Sequence, residues 1–219
     1  MKKTIILLLS FFLILSTVEA KTALAPKGSP KRAIQDLDER LNEYIIDAKT
    51  EEQKKFNLDL KKTIIHGTFD VAELCRLALD KHWQPLSQKE RDGFIDLMTN
   101  LLERKAIFSK EQSLSKTNGR KEAYYLSYGE SRLLPPDQSR ALVKSTVTIP
   151  QEDIRIDIAY KLKIVSGAWK IFDVTVDGAS LLNNYRYQFD KIISKDGYPD
   201  LVRRMSSKLK ELEETDKIE

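Results

Sequence analysis

Few side chains in this sequence have the type and spacing that catalysis or metal binding requires. The histidines His66 and His82 lie near the ends of predicted helices, and neither has metal-site spacing to the other or to Cys75. The sequence lacks a phosphate-binding loop, a dinucleotide fingerprint and a Gly-x-Ser-x-Gly elbow. In Gly178-Ala179-Ser180, the serine is better placed to cap the next helix than to act as a nucleophile. We therefore predict no catalytic residue and no metal ligand.

Asp173 interrupts an otherwise apolar strand, between Phe172 and Val174. A carboxylate in a pocket could act as a general base. More often, an aspartate in such a position pairs with an arginine or accepts hydrogen bonds from nearby donors, and Arg186 is one candidate partner. We favour this structural role, and an enzyme that uses Asp173 on a small apolar substrate is the alternative.

The beginning of the chain has the pattern of a secretory signal peptide. Residues 1–3 are positively charged, residues 5–15 are an apolar run, and residues 18–20 form a small-residue cleavage site. The apolar run is too short to span a bilayer comfortably. We therefore predict a signal peptide over residues 1–20, cleaved after Ala20, and a periplasmic location.

The charge and cysteine content exclude other classes. The formal net charge is +4, with both signs spread along the chain, which is not the footprint of a nucleic-acid-binding protein. The single cysteine, Cys75, cannot form a disulfide within the chain, and this suits an exported protein if the thiol is buried. We expect a monomer that binds no nucleic acid.

We divide the rest of the chain into a flexible leader over residues 21–33, a single domain over residues 34–213 and a charged tail over residues 214–219. The domain begins with four segments of helical periodicity. The last of them follows the capping box Ser87 to Glu90. Its wide apolar stripe consists of Phe94, Leu97, Met98, Leu101, Leu102 and Ile107.

The centre of the sequence alternates as strands do. Over residues 154–164 every second residue is apolar, which indicates a half-buried antiparallel strand. Ser166-Gly167 has the length of a hairpin turn, and the strand over residues 169–176 is apolar on both sides, as in a strand covered on both faces. Two earlier strands, over residues 123–128 and 141–149, and two later helices predict an α+β fold with four antiparallel strands.

Two blocks of the sequence have a more specific pattern. The C-terminal block runs Trp169-Lys170-Ile171-Phe172-Asp173-Val174, then Val176-Asp177-Gly178-Ala179-Ser180-Leu181, then Asn184-Tyr185-Arg186-x-Gln188-Phe189. A weaker N-terminal block holds Phe69-Asp70, Lys81-His82-Trp83 and Arg91-x-x-Phe94. In order and spacing these blocks resemble the MlaC family of periplasmic phospholipid-binding proteins, also called toluene-tolerance or auxiliary transport proteins, with Asp177 where glutamate is commoner. The resemblance spans roughly residues 34–209.

The resemblance implies a nuclear-transport-factor-like fold, in which a curved four-stranded sheet and helices enclose a deep apolar pocket. Phospholipid acyl chains would lie in the pocket, and the lipid would be the only bound ligand, with no cofactor. The resemblance also implies a carrier that moves lipid between an outer-membrane lipoprotein–porin complex and an inner-membrane ABC transporter with an MCE ring. A carrier of another lipid, such as a hopanoid or other isoprenoid, stays open.

Residues that contact the acyl chains do not carry over as a motif, so we assign them from the predicted faces. The lipid-binding candidates are Phe94, Leu97, Met98, Leu101, Tyr125, Val143, Val147, Ile156, Ile158, Tyr160 and Val174. The competing interpretation is that these side chains fill a closed core, as apolar stripes usually do. Trp169, Asp173, Tyr185 and Arg186 are assigned structural roles.

Overall fold

The computed structural model describes residues 23–45, 48–105, 125–149 and 153–218. The helices before the sheet are α1 (Pro30–Leu41), α2 (Glu51–Thr68), α3 (Val71–Leu79) with a following 3-10 turn (Asp80–His82), and α4 (Gln88–Lys105). The strands are β1 (Tyr125–Leu134), β2 (Arg140–Ile149), β3 (Ile154–Val165), β4 (Ala168–Val176) and β5 (Ala179–Ser180), and the helices after them are α5 (Leu181–Asp196) and α6 (Tyr198–Ile218). The predicted α+β order is confirmed, and α6 includes most of the segment predicted as a tail.

The strands form one antiparallel sheet in the order β1-β2-β3-β4-β5. The predicted hairpin between β3 and β4 is confirmed, because Ser166 and Gly167 both have the positive φ that a two-residue turn needs. The fifth strand was not predicted. Its two residues pair with Thr175 and Val176, and a strand this short leaves no alternation in the sequence.

Side-chain caps determine where the helices begin. Ser180 caps α5 as predicted, and Asp70 caps α3. Each side chain accepts a hydrogen bond from the backbone N–H three residues later. Ser29 caps α1, so this helix begins at Pro30, inside the segment predicted to be a flexible leader. No helix within the described ranges is both long and apolar enough to cross a bilayer.

A β-bulge in β4 changes which of its side chains share a face. Lys161 and Leu162 are consecutive in β3 but pair with Asp173 and Ile171, so Phe172 is an extra residue in β4. The centre of β4 is buried on both faces, as predicted. Regular alternation would put Ile171 and Val174 on opposite sides of the strand, but the bulge brings them to the same face.

Buried apolar side chains form two clusters. The helical cluster consists of Ile65, Val71, Leu74, Cys75, Ala78, Leu79, Phe94, Met98, Leu102, Leu182, Phe189, Leu201 and Met205. The sheet cluster lies where α1 and α2 cover the strands and consists of Ile34, Leu37, Leu60, Ile64, Val143, Leu162 and Ile171. Ile64 and Ile65 are neighbours in α2 but belong to different clusters, and Phe69 packs against both. The C-terminal end of α2 is therefore the seam between them.

Candidate functional site

One face of the sheet carries aligned rows of apolar side chains, and we call it the apolar face. The register places Val143, Tyr160 and Val174 side by side across β2, β3 and β4, and it places Val147 beside Ile156. Because successive side chains of a strand point to opposite faces, the lysines and arginines of the described strand segments fall on the other face. The apolar face thus joins the candidates of β2, β3 and β4 on one uncharged surface.

One end of the apolar face is closed. Val143, Leu162 and Ile171 are buried beneath α1 and α2 in the sheet cluster. The chain before α1 is also held at this end, because the indole Nε1 of Trp169 donates to the carbonyl oxygen of Gly28 at 3.0 Å. This closed end is ordinary core and leaves no surface for a ligand without movement of a helix.

Among the described residues, the opposite end of the apolar face is only partly covered, and we call it the open end. Val147, Ile156 and Ile158 are half-buried and belong to neither apolar cluster of the described residues. At its margin, Ile154 and Val176 are 36% and 42% exposed. Removing apolar surface from water stabilises by roughly 25 cal/mol per Å². This open end is therefore where an apolar ligand would gain most from the sheet.

The candidates on α4 lie elsewhere. Phe94 and Met98 are buried in the helical cluster, and Leu97 and Leu101 pack against it. The Phe94 ring packs nearly perpendicular to the ring of Phe189 of α5, with 5.6 Å between the ring centroids. The structure therefore separates the predicted set, because the described part of the stripe on α4 packs in the helical cluster. Ile107, the last residue of the predicted stripe, lies outside the described residues.

Tyr125 is the remaining candidate, and the register of β1 does not align it with the others. Tyr125 pairs with Thr148, whereas the next residue, Leu126, pairs with Val147. Leu126 therefore takes the position next to Val147 on the apolar face. Sequence reasoning missed Leu126, although its alternation with Tyr128 was the signal that could have found it.

Hydroxyl groups interrupt the apolar face where its closed and open ends meet. Tyr128 is paired with Ser145 across β1 and β2, and Tyr160 is the diagonal neighbour of Ser145 on β3. Burial raises the pKa of the Tyr160 phenol, so this group keeps its proton at neutral pH. Ser145 is only 2% exposed, and a side-chain hydrogen bond between it and Tyr160 partly offsets the rise in the pKa of that phenol. We call these three residues the hydroxyl row.

Asp173 lies on the opposite face of the sheet and has a structural role. Its buried carboxylate accepts hydrogen bonds from Lys161 Nζ and Ser180 Oγ at 3.0 Å and from the backbone N–H of Leu182 at 3.1 Å. Arg186, the predicted candidate partner, donates instead to a carbonyl oxygen of α3 at 3.0 Å. Asp173 therefore ties β4 to the start of α5, as the structural interpretation expected, and its partner was misassigned.

The other reactive side chains also serve packing. Cys75 is fully buried in the helical cluster, and this burial raises the pKa of its thiol. His66 Nε2 lies 2.8 Å from Glu103 and joins α2 to α4, and His82 Nε2 lies 2.8 Å from Asp190. Among the residues described, no group of His, Cys, Asp and Glu is arranged to hold a metal ion.

Comparison with known proteins identifies the family of this chain. A model of the MlaC protein family matches residues 31–207. The chain belongs to the MlaC family. This confirms the resemblance carried by the C-terminal block.

One solved structure similar to this MlaC-family chain is the phospholipid-binding protein from Ralstonia solanacearum in complex with a phospholipid. The two are 21% identical with a TM-score of 0.61, and the match covers 83% of this chain and 95% of that one. At this level of identity the likeness shows a shared fold. No curated protein matches the chain.

Proposed function

We propose that this MlaC-family chain binds a phospholipid by its acyl chains at the open end of the apolar face and carries it between membranes. The observation that carries the proposal is this open end, where Val147, Ile156 and Ile158 form a half-buried surface and the charged side chains of the described strands fall on the other face. The similar protein from Ralstonia solanacearum is a phospholipid-binding protein, which supports phospholipid as the ligand class.

The energetics of acyl-chain burial suit a carrier. Burying one chain of about sixteen carbons is worth roughly 13 kcal/mol, at about 0.8 kcal/mol for each methylene. A bilayer offers the same chain a similar environment, so extraction and delivery are nearly balanced. Docking to a donor or an acceptor can then decide the direction of transfer. A surface that contacts mainly methylenes discriminates weakly between tails.

The proposed role requires a compartment and partners. We propose that the chain works in the periplasm after cleavage of residues 1–20. There it exchanges lipid with an outer-membrane lipoprotein–porin complex and an inner-membrane ABC transporter that bears an MCE ring. Membership of the MlaC family supports these partners. The Asp173 carboxylate already accepts hydrogen bonds from Lys161, Ser180 and the backbone of Leu182. This favours a carrier over an enzyme that would use the carboxylate as a base.

The first test is the identity of the bound molecule. The protein is purified from the periplasm of the cell that expresses it, and an organic extract is analysed by mass spectrometry. We expect about one phospholipid for each chain. A stoichiometric hopanoid or isoprenoid would support the alternative ligand, and an extract without stoichiometric lipid would count against a lipid carrier of either kind.

The second test places the ligand on the sheet. We expect Val147→Glu or Ile158→Glu to lower the lipid content roughly tenfold or more, because a carboxylate would have to be desolvated by the acyl chain. The matched control is Thr148→Glu, which puts the same charge on the other face beside Arg155 and should keep the lipid. Circular dichroism verifies folding, and full loading of folded Val147→Glu protein would place the site elsewhere.

A further inference from the structure

The two tyrosines of the hydroxyl row lie at the edge of the cover that α1 forms over the sheet. Both are half-buried and pack against the sheet cluster. Lys31 of α1 donates from Nζ to the carbonyl oxygen of Tyr128 at 3.2 Å. Burial, together with the charge of Asp38 on the same helix, raises the pKa of the Tyr160 phenol. The helix therefore reaches both tyrosines, and the open end begins beyond them.

The tyrosine rings separate the packed part of the apolar face from its half-buried part. Tyr160 lies beside Val143, and a side-chain hydrogen bond joins it to Ser145 of the next row. On the side of the sheet cluster, Val143 and Leu162 are 0% exposed and Ile171 is 1% exposed. We call Tyr128 and Tyr160 the tyrosine wall.

A bound phospholipid would meet the tyrosine wall with the methyl end of an acyl chain. Its phosphate is costly to bury without a positive charge, and the cations of the described strands fall on the other face. The head group therefore stays at the exposed margin, near Ile154 and Val176. From there the chain runs along β3 towards Tyr160.

The length of this path matches one acyl chain. The strand from Ile154 to Tyr160 extends about 20 Å, at roughly 3.3 Å for each residue. One leaflet of a bilayer has a hydrocarbon thickness of about 15 Å. The open end is thus long enough for a chain of ordinary length, with little distance to spare before the ring of Tyr160.

We propose that Tyr160, with Tyr128 beside it, forms the end wall of the acyl-chain site and limits the length of the chains that the protein carries. This inference rests on the proposed function and adds a specificity-determining residue to it. A longer chain leaves its excess methylenes in water, because the side chains beyond the wall are already packed against α1 and α2. Each such methylene lowers loading from a bilayer by up to about fourfold.

The test measures which chain lengths the protein takes from a mixed membrane. The full mature protein is equilibrated with vesicles that contain equal amounts of three phosphatidylcholines, with monounsaturated chains of about 12, 16 and 22 carbons. The bound lipids are extracted, and their ratios are read by mass spectrometry. We expect the wild type to load the two shorter lipids about equally and the longest about tenfold less or lower still.

Two substitutions should move this limit in opposite directions. Tyr160→Ala removes the larger part of the wall and should raise the loading of the longest lipid about fivefold or more, relative to the middle one. Ile158→Phe places a ring closer to the margin and should make the protein favour the shortest lipid over the middle one. Tyr160→Phe retains the ring and should retain the wild-type ratios. Lys144→Ala, on the other face of the sheet, is the control for a substitution beside the wall.

Circular dichroism verifies the folding of each variant. If Tyr160→Ala does not fold, the wild type and Ile158→Phe still decide the question by their ratios. Equal loading of all three lipids by the wild type would overturn the inference and leave the proposed function standing. Wild-type ratios in folded Tyr160→Ala or Ile158→Phe protein would do the same. Failure of all three lipids to load in the wild type and in every variant would overturn the proposed function as well.

Discussion

The helical cluster and the apolar face of the sheet arise from similar sequence patterns but reach different degrees of burial. In the helical cluster, α4 is covered by α2, α3 and α6, and Phe94 and Met98 are almost fully buried. On the sheet, the cover of α1 and α2 ends near Val143, and Val147 and Ile156 beyond it stay half-buried. An apolar stripe therefore becomes buried core where a second layer covers it and stays partly exposed where none of the described elements does.

The largest expected effect comes from a large-to-small substitution in the helical cluster. Phe94→Ala should lower the free energy of unfolding by about 3–5 kcal/mol, because the side chain is buried and leaves a cavity. Lipid content for each folded chain should not change. Ile156→Ala at the open end should cost only about 1 kcal/mol and should lower the lipid content.

Urea unfolding and lipid extraction of both variants measure this contrast. A loss of stability at Ile156 as large as that at Phe94 would mean that the open end is closed core, and the distinction between the two regions would fail.

A smaller effect is expected at the face of the sheet opposite the apolar face. Asp173→Asn should lower the free energy of unfolding by about 1–3 kcal/mol, because the amide cannot satisfy Lys161, Ser180 and the N–H of Leu182 together. Lipid loading should stay at the wild-type level. Denaturation and extraction again provide the readout, and a folded Asp173→Asn protein without lipid would give this carboxylate a part in binding.

The smallest effect concerns the surface of the helical region and appears only in acid. Lys81 and then His82 lower the pKa of Asp190 from 3.8 to about 2. A carboxyl with a lowered pKa in the folded state stabilises the protein above its unfolded pKa, and that contribution is lost as the pH falls from about 4 to about 2. Over this range the wild type should lose more thermal stability than Asp190→Asn. An equal fall in melting temperature for the two proteins over this pH range would show that the contacts of Asp190 do not contribute to stability.

Local patterns in the sequence predicted much of the fold. The alternation along β3 depends on neighbours two residues apart, and no bulge interrupts its pairing with β2. The caps at Asp70 and Ser180 each involve a backbone N–H three residues away, so a short window contains the whole signal. The hairpin at Ser166-Gly167 is similarly local.

The composition of the site depended on contacts that a local pattern does not record. The stripe on α4 shows that one side of the helix is apolar, but not that Phe94 would meet Phe189 on a distant helix. Register shifts in β1 after Tyr128 and in β4 at Phe172 change which side chains share a face. The amino-acid composition of these strands does not reveal the shifts.

The extra residue at Phe172 limits where β4 can gain or lose a residue. Deleting Phe172 itself would restore a regular ladder with every neighbouring pair preserved, and the loss would be confined to the ring beneath Arg140. Deleting any other residue inside β4 would move the side chains beyond the deletion to the opposite face of the sheet. Polar side chains would then lie on the apolar face. Relatives should therefore gain or lose single residues at Phe172 or in the hairpin loops, and strands of other lengths should be rare.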